Sequence, residues 1–179
     1  MDKCAIFIDG GYLAKVTASL GSPKIDFLRL SEELAGEDKR LRTYYYDCAP
    51  YAGANPTANE RDRKRKFDQF LYSIKRKPRF EVRLGRLKKY KVRSNITFEQ
   101  KMVDILLAID LVKLSVERSI QKAIIITNDA DFVPAIKVAR DAGVIVELYR
   151  GENDHNDALV EACDEWSYID AALIKKVKR

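Results

Sequence analysis

Cys4-Ala5-Ile6-Phe7-Ile8-Asp9-Gly10-Gly11 is the stretch that decides the fold. Its apolar run does not alternate with polar residues, so it reads as a short strand covered on both faces, and the glycines after Asp9 end it in a tight turn. A carboxylate is thereby delivered at the carboxyl end of a buried strand. The same arrangement recurs where Ala123-Ile124-Ile125-Ile126 is followed by Thr127-Asn128-Asp129-Ala130-Asp131. Residues 41–47, rich in Tyr and Thr, form another strand that ends on an acid, and residues 144–148 form the next.

Between these strands the apolar spacing becomes helical over 12–20, 26–35 and 59–75. In the last of these, Phe67, Phe70, Leu71 and Ile74 share a face opposite a strongly basic one, and Pro78 stops the run. Residues 80–87 alternate, with one slip, as an amphipathic strand whose outer face is basic. Residues 97–117 are expected to form one long helix, capped by Thr97 or Asn95, apolar over most of its circumference and therefore central and well buried. Pro134 suits the first turn of a further helix that Gly143 ends, and 157–168 reads as a helix packed back on the sheet. Strands alternating with helices define an α/β chain, with a mainly parallel central sheet between two helical layers, in one domain over 1–179.

The 179 residues are 46% apolar, enough for a substantial core. No apolar run is long enough for a membrane span, and the N-terminus carries no basic, then long apolar, leader pattern, so neither a span nor a signal peptide is expected. Cys4, Cys48 and Cys163 are odd in number, far apart and without a CxxC pair, which argues against a disulfide framework or a structural zinc. A reducing cytoplasm is the expected compartment, with the thiols acting as small buried hydrophobes.

The net charge of +6 is unevenly placed: residues 61–93 hold 15 Lys or Arg against Asp62, Asp68 and Glu81, which leaves the rest of the chain at −6. So concentrated a basic segment calls for a polyanionic partner. Arg61, Arg63, Lys64, Arg65 and Lys66 are the candidate phosphate contacts, with Phe67, Tyr72 and Tyr90 as candidate stacking platforms. For those aromatics, packing into the core is the simpler reading.

In open parallel sheets the loops leaving the carboxyl ends of the strands build the site, so Asp9 and Asp129 are the first candidates. Asp131 can cap the following helix, bind metal, or do both. Asp104 interrupts an apolar helical stretch, where a carboxylate needs a partner. Two readings stand: an ion pair with Lys101 three residues earlier, or a place in the acidic cleft. Asp110 is rotated by about 120° from Asp104 and is assigned to supporting structure. Gathered carboxylates repel unless cations neutralise them, and hard oxygen donors select Mg²⁺ or Mn²⁺ over zinc. His155, in a polar run, is read as a solvated loop residue.

Phe7-Ile8-Asp9-Gly10-Gly11-Tyr12, Lys101-Met102-Val103-Asp104 with Asp110 downstream, and Ile126-Thr127-Asn128-Asp129-Ala130-Asp131-Phe132-Val133-Pro134 resemble, in order and spacing, the three motif blocks of the NYN domain in its LabA-like branch. The resemblance implies a PIN-like α/β/α fold and an acidic, Mg²⁺- or Mn²⁺-dependent site that cleaves RNA, with single-stranded RNA the expected partner. It implies that Asp9, Asp104 and Asp129 are metal ligands or metal-positioning acids, that Asp131 is a fourth, and that Thr127 and Asn128 orient a ligand or a phosphate. Tyr12 stands where the family often carries Asn. Two other readings compete with this one. A non-catalytic RNA-binding or regulatory module needs no such set of acids, and a receiver-like phosphoacceptor would carry an acidic pair after the first strand.

Overall fold

Strand β1 (Lys3–Asp9) buries Cys4, Ala5, Ile6, Phe7 and Ile8 completely, because helices cover both of its faces. Ala5 and Phe7 point into one core layer, while Cys4, Ile6 and Ile8 point into the other, as the two-residue period of a strand requires. Complete burial of such side chains is worth about 1.5–3 kcal/mol each against exposure. The structure is a computed structural model and describes residues 2–92 and 95–179, with side chains described at 2–86 and 102–179.

From β1 the chain continues through α1 (Gly10–Ser19), α2 (Phe27–Ala35), β2 (Lys39–Cys48), α3 (Ala58–Lys75), β3 (Phe80–Val92) and β4 (Asn95–Lys101). It returns through α4 (Val103–Val116), β5 (Lys122–Ile126), a 3₁₀ turn at Ala130–Phe132, α5 (Val133–Asp141), β6 (Ile145–Arg150), α6 (Asp157–Ala162), β7 (Glu165–Tyr168) and α7 (Ala171–Val177). The strands form one seven-stranded sheet in the order β4-β3-β2-β1-β5-β6-β7, parallel throughout except for β4, which runs antiparallel to β3. Residues of α4, α5 and α6 cover one face around Phe7, Leu107, Leu111 and Ile136. Those of α1, α2, α3 and α7 cover the other around Ile6, Ile8, Leu30 and Ile74. The architecture is α/β with a six-stranded parallel centre between helical layers, consistent with a PIN-like fold.

Three expectations are corrected. Residues 97–117 are not one helix: β4 runs to Lys101, and Met102 then turns the chain at φ 77° and begins α4 without a side-chain cap. Lys101 and Asp104 therefore do not share a helical turn, and the helical ion pair is excluded. Nor is α4 buried all round, since Ile105, Ile109 and Val116 are each more than half exposed on its outer face while Leu107 and Leu111 fill the core. Finally, 157–168 divides into α6 and the edge strand β7, with Asp164 between them accepting from the Val146 N–H at 2.8 Å and from Arg140 at 2.9 Å. The roles considered for the Tyr90 and Lys101 side chains lie outside the described residues. Among the described residues, no helix is long and apolar enough to cross a membrane.

Candidate active site

The strand order reverses at β1: the chain builds outward through β2 and β3 on one side, then returns to lay β5 against the other. Such a switch leaves a crevice beyond the carboxyl ends of the central strands. Ile8 pairs with Ile126, so Asp9 and Thr127 emerge side by side, and Asp9 pairs with Tyr46, so Asp47 follows on the next strand.

Asp9 is the N-cap of α1 and accepts from the Tyr12 N–H at 3.0 Å, which fixes its side chain toward the helix start. Burial pushes its carboxyl above the ordinary range; the Tyr12 N–H opposes this, and the charges of Asp104 and Asp47 add to it. Asp47 is raised by burial too, against hydrogen bonds from the Cys48 N–H at 2.7 Å and the Tyr45 hydroxyl at 2.9 Å. Asp104 stands in the first turn of α4, on its exposed side, yet the cleft removes enough water to raise its carboxyl, with Asp129 and then Asp131 adding repulsion. Asp129 caps the 3₁₀ turn by accepting from the Asp131 N–H at 2.9 Å. Asp131 itself is exposed and caps neither helix end, so the capping reading of that residue is corrected. Acids from four separate segments are thus mutually coupled: Asp9 with Asp47 and Asp104, and Asp104 with Asp129 and Asp131.

The neighbouring polar groups divide into those that hold the site and those outside it. Thr127 is completely buried, and its hydroxyl oxygen accepts from the Asp129 N–H at 3.3 Å. Asn128 accepts through its carbonyl oxygen from Asn156 Nδ2 at 3.0 Å, while its own Oδ1 is buried without a hydrogen-bond partner among the described residues. Asp110 points elsewhere, accepting from the Tyr46 hydroxyl at 2.9 Å and from Arg83 Nε at 3.2 Å. Tyr12 also turns away: its hydroxyl donates to Asp154 and accepts from the Gly151 N–H at 2.8 Å, tying down the loop after β6. His155 is exposed in that loop.

Hard carboxylate and amide oxygens suit a hard divalent cation. Among the described residues, however, no three His, Cys, Asp or Glu side chains stand together as a ready-made metal cage. The donor chemistry fits such an ion, and binding it would require side-chain movement toward a common point.

Asp47 is the residue that the sequence reading noted as an acid at a strand end and left out of the site. The signal is in the sequence, since Asp47 lies at the carboxyl end of β2 as Asp9 does at that of β1. Gly10 is the second residue with a tight requirement. A Cβ there would lie 2.4 Å from the Tyr45 hydroxyl and 2.8 Å from the Tyr46 carbonyl oxygen. Gly10→Ala is expected to destabilise the fold by about 1–3 kcal/mol through this overpacking, read as a lower midpoint in urea.

The basic helix α3 begins with a capping box, in which the Glu60 N–H donates to the Thr57 hydroxyl and the Thr57 N–H to the Glu60 carboxylate. Lys64 pairs with Asp68 and both Arg65 and Lys66 with Asp62, all exposed, while Arg61 donates to the Pro56 carbonyl oxygen. Arg63 has no ion-pair partner among the described residues.

The chain matches the NYN domain over residues 3–170 and belongs to that family. NYN domains fall within the PIN-like nuclease superfamily. Among solved structures, the chain is similar to a protein of unknown function from Vibrio parahaemolyticus, with a TM-score of 0.65 and 17% identity, over 99% of this chain and 96% of that one. That likeness concerns the fold alone. A protein of Parabacteroides merdae aligns with a TM-score of 0.34 and 12% identity over 97% of this chain and 29% of its own, too distant to carry an argument. No curated protein matches the chain.

Proposed function

We propose that the protein is a metal-dependent ribonuclease of the LabA-like branch of NYN domains, cleaving single-stranded RNA in the cytoplasm. The observation that carries the proposal is the coupling of Asp9, Asp104, Asp129 and Asp131 across the strand-order switch, where burial and mutual repulsion already raise Asp9 and Asp104. A site that only bound RNA would gain nothing from facing a polyanion with carboxylates. The three buried thiols suit a reducing compartment.

In this reading Asp9, Asp104 and Asp129 hold Mg²⁺ or Mn²⁺, with Asp131 as a fourth carboxylate. When bound, the ion supplies a Lewis acid beside the scissile phosphate. The chain's own residues do the positioning. The Tyr12 N–H orients Asp9, the Asp131 N–H orients Asp129, and Thr127 fixes the backbone between β5 and Asp129. Asn128 lies between Thr127 and Asp129 and is assigned to orienting the ligand or a phosphate, and Lys101 ends β4 just before α4. Asp110 supports α4 against β2 and β3 through Tyr46 and Arg83. The basic residues of α3, Arg61, Arg63, Lys64, Arg65 and Lys66, contact the strand's phosphates from more than one side of the helix.

The test is cleavage of labelled single-stranded RNA by the purified protein with Mg²⁺ or Mn²⁺, and its arrest by EDTA. Binding of RNA with no metal-dependent cleavage across a panel of sequences would favour a binding module on the same fold.

A further inference from the structure

The acidic crevice has an apolar neighbour. A groove of about 550 Å³ lies between α1, α2 and α3, and Gly10 and Asp47 are among its lining residues, so it opens directly beside Asp9. That volume is typical of small-ligand sites, which run from about 300 to 1,000 Å³. Its floor is aromatic. Phe27, Tyr45 and Phe70 pack edge to face with ring centres 5.4–5.6 Å apart, and Phe67 lies partly buried beside them. Arg63, Lys66, Phe67 and Phe70 all line it, at the spacing that places them on one face of α3. One helix face therefore brings two aromatic rings and two cations to the same groove. Lys66 is held by Asp62 at 2.7 Å, whereas Arg63 has no ion-pair partner among the described residues and is the cation left to meet an anion.

We propose that this groove is a nucleobase subsite: it takes one unpaired base of the RNA strand against Phe67 and Phe70, with Arg63 and Lys66 on the attached phosphate. The proposal rests on the RNA reading above and adds to it where the strand lies. Apolar rings take any base face, and cations at the rim take a phosphate, a pairing of demands that a nucleotide meets. A base in a duplex cannot reach the floor, so the groove selects unpaired strands. Asp47 lines the same groove; each of its oxygens already accepts one hydrogen bond, from the Tyr45 hydroxyl or the Cys48 N–H, and has capacity for a second, which an exocyclic amino group would supply. Adenine, cytosine and guanine carry such a group. Uracil has no exocyclic amino group and offers only its N3–H, flanked by two carbonyl oxygens that the carboxylate repels.

The experiment titrates the full chain in EDTA with AMP, CMP, GMP and UMP, with inorganic phosphate and with nucleosides, followed by NMR or calorimetry. AMP, CMP and GMP are expected to bind about tenfold more tightly than phosphate, and UMP more weakly than these three. Ala14→Trp, an exposed substitution on α1 that fills the groove without emptying the core, is expected to weaken nucleotide binding about tenfold. Arg63→Gln should weaken nucleotides about fivefold and leave nucleosides unchanged. Melting curves of both variants establish that they are folded. Nucleotides that bind no better than phosphate, or that bind equally well to Ala14→Trp, overturn the subsite. The two readings fail separately. A protein that cleaves RNA but takes no mononucleotide loses the groove and keeps the nuclease. A protein that takes mononucleotides with this pattern but never cleaves keeps the groove and loses the nuclease.

Discussion

Asp104→Asn is expected to lower the rate of RNA cleavage by about a thousandfold or more while leaving RNA bound, a loss of roughly 4 kcal/mol of transition-state stabilisation. Asp104 is exposed on the first turn of α4, so the substitution empties no core and removes no cap. What changes is one negative charge coupled to Asp129 and Asp131 in the crevice. In the proposed mechanism the cation would then lose a ligand and the phosphate its in-line position. The same change removes repulsion toward a polyanion, so affinity measured in EDTA should stay equal or rise. Asp9→Asn and Asp129→Asn should behave alike in single-turnover cleavage and filter binding. Asp110→Asn is the contrast. Its carboxylate serves Tyr46 and Arg83, so it should cost about 1–3 kcal/mol of stability and leave catalysis largely in place. Full activity in Asp104→Asn with undisturbed folding would falsify the assignment of that residue.

Much of the fold was legible because buried parallel strands leave an unambiguous trace. After an initial Lys, β1 and β5 are uninterrupted apolar runs, the first ending on Asp9 and the second followed three residues later by Asp129, and the helices after them open at Asp9 and near Pro134 as their start signals require. The errors have physical causes. β4 merged with α4 because the break between them is Met102 in a left-handed conformation, a position that no residue type announces and that the surrounding chain must impose. β7 merged with α6 because Cys163-Asp164 contains neither Pro nor Gly. The break is made by tertiary hydrogen bonds from Val146 and Arg140 to Asp164, which a local window does not contain. α4 looked buried because it is apolar all round, yet Ile105, Ile109 and Val116 face outward. In the site, spacing alone found the acids at β1 and β5, but which of them feel one another depends on strand order. That order puts β2 beside β1 and brings Asp47 next to Asp9.

Asp9→Asn should make the metal-free protein more stable at neutral pH and, at the same time, deprive it of a stabilising response to metal. The N-cap survives the change, because the Asn oxygen can accept from the Tyr12 N–H as Asp does. What is lost is a buried charge that Asp104 and Asp47 repel. The sign follows from linkage. Asp9, Asp47 and Asp104 are all raised above the ordinary carboxylate value of 3.8, so each contributes stability that is complete below that value and is lost as pH rises through the raised value. Wild-type protein in EDTA should therefore melt higher in mild acid than at neutral pH, and Asp9→Asn should flatten that slope. A bound metal would act in the opposite direction on the same groups by favouring their ionised forms. At a hundredfold excess over its dissociation constant, Mg²⁺ or Mn²⁺ should add about 2.7 kcal/mol to the wild type, a rise of several degrees in Tm for a chain of this size. Thermal scans of both proteins, with EDTA and with millimolar metal at two pH values, separate the two effects. A wild-type Tm that is identical with metal and with EDTA counts against a native cation site, and a metal response retained in full by Asp9→Asn removes that residue from it.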